Sequence, residues 1–134
     1  MKTFLVVAVL LAGPASAMTM ECIVVKKFSP EHVYTDEELR KEAPSVVIED
    51  GQGPAKVSRC SFSRSAGKIT CDTYVMDKVE KNDRGNASND GVETIKKYYL
   101  FRSHFDVQVF PDLSFIENSG RGMISFGTCK LKAP

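Results

Sequence analysis

Four polar residues that could support acid–base or anion-binding chemistry lie at every second position late in the chain. They are Arg102, His104, Asp106 and Gln108. On a β-strand this spacing places all four side chains on one face. Asp106 could then orient His104 as a base or a ligand, while Arg102 could receive an anionic group. The competing interpretation, which we favour, is the solvent-exposed face of an ordinary half-buried strand.

The residue types give little support for nucleophilic catalysis or for metal binding. Nucleophilic catalysis would need a Ser or Cys beside His104, and the sequence contains no Gly-x-Ser-x-Gly elbow. With 2 histidines and no Cys-x-x-Cys spacing, we predict no metal and no cofactor. Tyr98 and Arg121 complete the candidate binding residues. Tyr98 could line a ligand pocket or belong to the core, and Arg121 lies in an exposed turn.

The element that must position most of these residues is the β-like run over residues 92–110, which we predict to be one long strand. Pro111-Asp112 ends it, and residues 113–117 resume the β pattern. Residues 118–122 are rich in Gly and predict a hairpin turn. A last strand over residues 123–131 follows.

A second organising element is residues 57–75, which we predict to form a β-hairpin. With residues 64–67 as the connection, Cys60 lies directly opposite Cys71, where a disulfide can form. The apolar face of this hairpin is expected to pack in the core. Its members are Cys60, Phe62, Ile69, Cys71, Thr73 and Val75.

The remaining segments complete an all-β pattern. Residues 21–28 and 45–49 predict strands, and a capping-box spacing from Thr35 to Glu38 predicts a short helix near 35–43. The second hairpin strand is expected to continue to Val79, and residues 81–91 to form a mobile polar loop. The sum is 7–8 short strands with no βαβ rhythm. This predicts a small antiparallel β-barrel or sandwich.

The four cysteines indicate disulfides, because their number is even and the chain carries an export signal. Three pairings are possible on paper. The hairpin register selects Cys60 with Cys71, which leaves Cys22 for Cys129. The second bridge would then tie the first strand to the last.

Residues 1–17 have the features of a cleaved signal peptide: Lys2, a short apolar run and small residues up to Ala17. Cleavage would leave 18–134 as a single domain, exported to the periplasm or the exterior, with no membrane anchor. Loss of Lys2 leaves 17 basic residues against 17 acidic ones, which argues against nucleic acid as a partner. Asn86 is a glycosylation acceptor if the source is a eukaryote.

In size and expected architecture the chain resembles lipocalin-like carriers and the bacterial inhibitors of lysozyme. It has no Trp and therefore lacks the early Gly-x-Trp of lipocalins, so no residue role is transferred. We predict a monomer that acts by binding a partner protein, for example as an inhibitor, through residues 81–91 or the Gly120 turn. One alternative is a carrier of a small apolar ligand in the barrel. A small hydrolase using His104 and Asp106 is a further alternative, which we disfavour.

Overall fold

The computed structural model describes residues 18–85 and 92–132 of the chain. The predicted signal peptide, residues 1–17, lies outside the described residues, and so does the glycosylation acceptor Asn86.

The described chain folds into nine strands and one helix, which confirms the predicted all-β class with slightly more strands than expected. The helix is α1, Asp36–Glu42. The strands are β1 Met18–Phe28, β2 Ser45–Asp50, β3 Lys56–Ser63, β4 Lys68–Val75, β5 Lys78–Gly85, β6 Val92–Leu100, β7 Phe105–Val109, β8 Ser114–Asn118 and β9 Ile124–Lys132.

All nine strands belong to one antiparallel sheet that curls into a half-barrel, in the order β4-β3-β2-β1-β9-β8-β7-β6-β5. The first strand therefore pairs with the last, and Cys22 lies directly opposite Cys129. A disulfide joins these two cysteines across a sequence separation of 107 residues. The predicted link between the two ends of the domain is confirmed.

The chain passes from one edge of the sheet to the other within two residues, Met76 and Asp77. The Met76 N–H donates to the Ala55 carbonyl at 2.8 Å, and the Asp77 N–H donates to the Tyr99 carbonyl, also at 2.8 Å. The prediction of one strand continuing to Val79 is therefore wrong at this step. The strand stops pairing with β3 here and begins to pair with β6.

The predicted mobile loop is wrong where its residues are described. Residues 81–85 form the end of β5 from its fourth residue onward, and Lys81 lies opposite Lys96 of β6. Residues 86–91 lie outside the described part of the chain. The prediction relied on polar composition. A neighbouring strand can bind the backbone N–H and C=O groups of a polar segment as well as those of an apolar one.

The concave side of the sheet holds the core. Its largest fully buried side chains include Tyr98, Phe115, Met20 and Ile48. Met20 and Ile48 are cross-strand neighbours, and Val57 continues their row into β3. Because neighbouring residues of a strand point to opposite faces, the residues between these core positions face outward.

The β3–β4 hairpin has the predicted register but the opposite orientation. Cys60 lies opposite Cys71, and the two form the predicted disulfide. The predicted core face points outward, however, and leaves Phe62 at 42%, Ile69 at 49% and Val75 at 53% exposed. Alternation separates the two faces of a strand, but it does not reveal toward which face the sheet will curl.

The helix α1 confirms the predicted capping box. The Thr35 side chain accepts a hydrogen bond from the Glu38 N–H at 3.2 Å, and the helix ends at Ala43, which has a left-handed φ of 44°. Leu39 is its buried residue. Within the described ranges, no helix has the length and apolar character needed to cross a membrane.

Candidate binding site

The four polar residues at alternate positions do not share a strand face. Leu100 of β6 pairs with Phe105 of β7, so the chain must reverse direction between them. A 3-10 turn, Phe101–Ser103, makes this reversal and contains Arg102, while His104 follows it with a left-handed φ of 51°. Only Asp106 and Gln108 stand on β7. The predicted single strand over residues 92–110 is therefore wrong, because its alternating pattern conceals the turn.

His104 and Asp106 do not assemble into an acid–base pair. His104 is exposed, and its side chain makes no hydrogen bond or ion pair to any described residue. Asp106 is half-buried on the outer face of β7. Burial raises the pKa of Asp106, and the nearby charge of Lys97 partly opposes that rise. The geometry lacks the contact by which Asp106 would orient His104.

Tyr98 lies in the core and is not an accessible binding group. It is 0% exposed, and its hydroxyl donates to Asp50 Oδ2 at 2.9 Å. Burial, followed by the hydrogen bond to Asp50, raises the pKa of Tyr98. Tyr98 therefore ties β6 to β2 across the concave side.

Arg121 is exposed in the turn between β8 and β9, as predicted from sequence. This turn packs against the 3-10 turn, because Gly120 lies against the backbone carbonyls of Ser103 and His104. The structure thus brings the backbone turns of Arg121 and His104 together at one end of the sheet.

A charged cleft, which we call the mouth cleft, opens at one end of the concave side. Its volume is about 210 Å³, and its lining includes Lys27, Arg59, Asp72, Glu117 and Ser125. Arg59 Nη2 donates to Glu117 Oε1 at 2.7 Å, and the Arg59 guanidinium lies 5.1 Å from the centre of the Phe105 ring.

Sequence reasoning missed this charged pair, although a signal was present. Glu117 stands two residues after the core residue Phe115, and Arg59 stands two residues after the core residue Val57. In a strand this spacing places the charged side chains on the same face as the core. A buried carboxylate needs a partner, and each residue of the pair is the partner of the other.

An apolar groove lies on the convex side between the helix and the sheet, and we call it the α1 groove. It has a volume of about 630 Å³. Its apolar lining includes Ile23, Val25, Leu39 and Ile69, and Asp36 and Arg40 add charged side chains from α1. Ile23 is 52% and Val25 is 57% exposed.

The two helix charges that line the α1 groove, Asp36 and Arg40, have no ion-pair partner among the described residues. By contrast Glu21, which also lines the groove, pairs with Lys132 at 3.1 Å. The groove therefore offers an apolar floor with one free charge of each sign.

Among the side chains that the structure describes, no group of three or more His, Cys, Asp or Glu could hold a metal ion. No protein-family model, curated protein or solved structure matches this chain.

Proposed function

We propose that the chain is an exported domain that binds a partner protein through the α1 groove, as an inhibitor of that partner would. The two disulfides support an oxidising compartment. A periplasmic or extracellular location rests in addition on the signal peptide expected at residues 1–17.

The observation that carries the proposal is the exposed apolar side chains of the convex side. Ile23, Val25 and Ile69 are each about half exposed and line one groove. Exposed apolar side chains that cluster together are typical of interaction sites, because removing apolar surface from water lowers the free energy. The Cys60–Cys71 disulfide lies on the same side of the sheet and braces the hairpin that carries Ile69.

The chemistry of the groove specifies its occupant. A protein segment that presents apolar side chains would cover the floor formed by Ile23, Val25 and Leu39. A basic side chain would pair with Asp36 and an acidic one with Arg40. Such charges orient a partner and exclude others more than they add affinity.

A carrier of a small apolar ligand has less support. Buried Tyr98, Phe115 and Met20 occupy the concave side, where a carrier would keep its cavity. The mouth cleft, at about 210 Å³, is smaller than the roughly 300–1,000 Å³ of usual ligand sites. It is also lined by charged residues.

The test compares two doubly substituted proteins as baits in extract of the source's exported fraction. Ile23→Asp with Val25→Asp places charge in the α1 groove. Phe101→Asp with Leu131→Asp places the same charge at two side chains that are each 57% exposed and lie outside it. We expect one protein to bind the unsubstituted chain and the control but not the groove variant.

The purified partner must then bind with a measurable Kd, weakened at least about tenfold by the groove substitutions and less than about twofold by the control. Equal weakening by both variants, or no effect of the groove variant, would contradict the proposal. Unreduced peptide mapping and circular dichroism establish that both variants are folded with native disulfides.

A further inference from the structure

We infer that β4 is a docking edge for a second copy of this chain, paired antiparallel about a two-fold axis at Thr70. Within the described residues β4 pairs only with β3. From Lys68 to Thr73 every residue is exposed, so neither face of the strand is covered there. An uncovered edge strand presents unpaired backbone groups to which another strand can bind. This inference rests on the backbone and the charges of β4 and not on the partner proposed for the α1 groove, although the two surfaces share Ile69.

The disulfide reveals which backbone groups are free. The Cα atoms of Cys60 and Cys71 lie 4.1 Å apart. This matches the close spacing of pairs that exchange no backbone hydrogen bonds, about 4.5 Å, and not the roughly 5.5 Å of hydrogen-bonded pairs. The N–H and C=O of Cys71 therefore point away from β3. By the period of two, those of Ile69 and Thr73 do the same.

A two-fold axis at Thr70 uses these free groups in a standard ladder. Ile69 of one copy faces Cys71 of the other, and both belong to the set whose backbone groups point outward, so they exchange hydrogen bonds. Thr70 faces its own counterpart as a pair without such bonds. Two-fold pairing of this kind is the commonest symmetry of homodimers.

The charges of β4 select this register. Lys68 and Asp72 lie on one face of the strand, and neither forms an ion pair with another described residue. About an axis at Thr70, Lys68 of each copy faces Asp72 of the other. Moving the axis by one residue, to Ile69 or Cys71, places both charges opposite uncharged residues. Moving it by two residues, to Lys68 or Asp72, places that charge opposite its own counterpart. Opposite charges directly across a strand pair stabilise it, and like charges destabilise it.

The apolar side chains of the hairpin support the same register. Phe62 pairs with Ile69 inside one copy, and Cys71 of the second copy would extend this row on the convex side. The exposed surface of Ile69, which is 49% accessible, would thus gain an apolar neighbour from the second copy. The interface is small, so we expect a weak dimer with a Kd above about 1 µM, in place of the monomer expected from sequence.

Sedimentation velocity over a concentration series tests the proposal with the disulfide-bonded protein. We expect reversible dimers for the unsubstituted chain. Lys68→Asp and Asp72→Lys should each weaken dimerisation about tenfold or more, since each reversal opposes like charges at two places. The double substitution exchanges the charges and should restore the original Kd within about threefold.

Crosslinking provides a second measurement that does not depend on charge. In the proposed dimer a Cys at position 70 would face its own counterpart at disulfide distance, whereas a Cys at position 73 would not. Thr70→Cys should form a covalent dimer and Thr73→Cys should remain monomeric. The proposal would be overturned if the chain is a monomer at every concentration, or if charge reversal leaves the dimer Kd unchanged. It would equally be overturned if the double substitution does not restore the Kd, or if Cys at positions 70 and 73 crosslinks equally.

Discussion

Arg59 on β3 and Glu117 on β8 meet across the concave side of the sheet, with 2.7 Å between Arg59 Nη2 and Glu117 Oε1. Three strands separate β3 from β8 in the sheet order, so the contact forms only because the sheet curls. The Glu117 side chain is 6% exposed and the Arg59 side chain is 39% exposed. The Glu117 carboxylate is therefore the buried member of the pair, and its contact with Arg59 compensates for the loss of water around its charge.

Removing the Arg59 side chain should lower the free energy of unfolding more than neutralising Glu117 does. Arg59→Ala leaves Glu117 buried without a counter-charge and should lower the free energy of unfolding by about 2–3 kcal/mol, since the pair is only partly desolvated. Glu117→Gln leaves an arginine that water can reach and should cost about 1 kcal/mol. Urea unfolding of both variants provides the comparison. Equal losses would show that the carboxylate does not depend on Arg59.

Tyr98 should make the fold sensitive to alkaline pH. Its pKa in the folded chain lies above the ordinary value of 10.0, because burial and Asp50 disfavour the charged form. Above pH 10 the unfolded chain loses the tyrosine proton first, so stability that is complete below pH 10 is lost progressively as the pH rises.

The test compares Tyr98→Phe with the unsubstituted chain. At pH 7 the variant should be less stable by about 2 kcal/mol, because it loses a hydrogen bond to a charged group. Above pH 10 its free energy of unfolding should fall less steeply with pH. Chemical unfolding measured at a series of pH values gives both quantities, and parallel pH profiles would refute the role assigned to burial.

The two disulfides should contribute unequal stability. Cys60 and Cys71 are 11 residues apart, and Cys22 and Cys129 are 107 residues apart. Loop-closure entropy assigns the short loop about 3 kcal/mol and the long one about 4–5 kcal/mol. Double Cys→Ser substitution of each pair should lower the melting temperature, and more so for the pair that includes Cys22. The reverse order would contradict the entropic account.

Gly120 should tolerate no side chain. Its φ is +75°, and an added Cβ would clash with the carbonyl oxygen of Ser103 and lie 2.8 Å from that of His104. Gly67 is a matched control, because its φ is +66° but nothing lies within 4 Å of an added Cβ. Gly67→Ala should lower the free energy of unfolding by about 1 kcal/mol, and Gly120→Ala should lower it by at least about 2 kcal/mol more. Thermal unfolding that shows similar losses would mean that the two turns do not pack together.

Local patterns in the sequence were enough for the class of fold, the helix and the Cys60–Cys71 disulfide, and elimination then left Cys22 for Cys129. The Thr35 capping box and the Cys60–Cys71 register involve residues close in sequence, whose geometry is set by hydrogen-bonding periods. The two-residue passage at Met76 could not be predicted, because it depends on a new strand edge at Tyr99 of β6, more than 20 residues later.

The candidate site was harder to predict because it depends on curvature. Polar and apolar residues alternate over residues 102–108 as they would in a strand, yet the 3-10 turn Phe101–Ser103 overlaps this pattern. Phe62 and Ile69 were assigned to the core for their apolar character, and they lie outside because the sheet curls toward Val57. Alternation carries no information on which face becomes concave.

The central claim is that the α1 groove binds a protein, and site-specific photocrosslinking in the source's exported compartment tests it most directly. A photoreactive amino acid would replace Val25 in the groove or Phe101 outside it, two side chains that are both 57% exposed. We predict one dominant adduct with a single protein from position 25 and none with that protein from position 101. The same adducts from both positions, or none from position 25, would contradict the account.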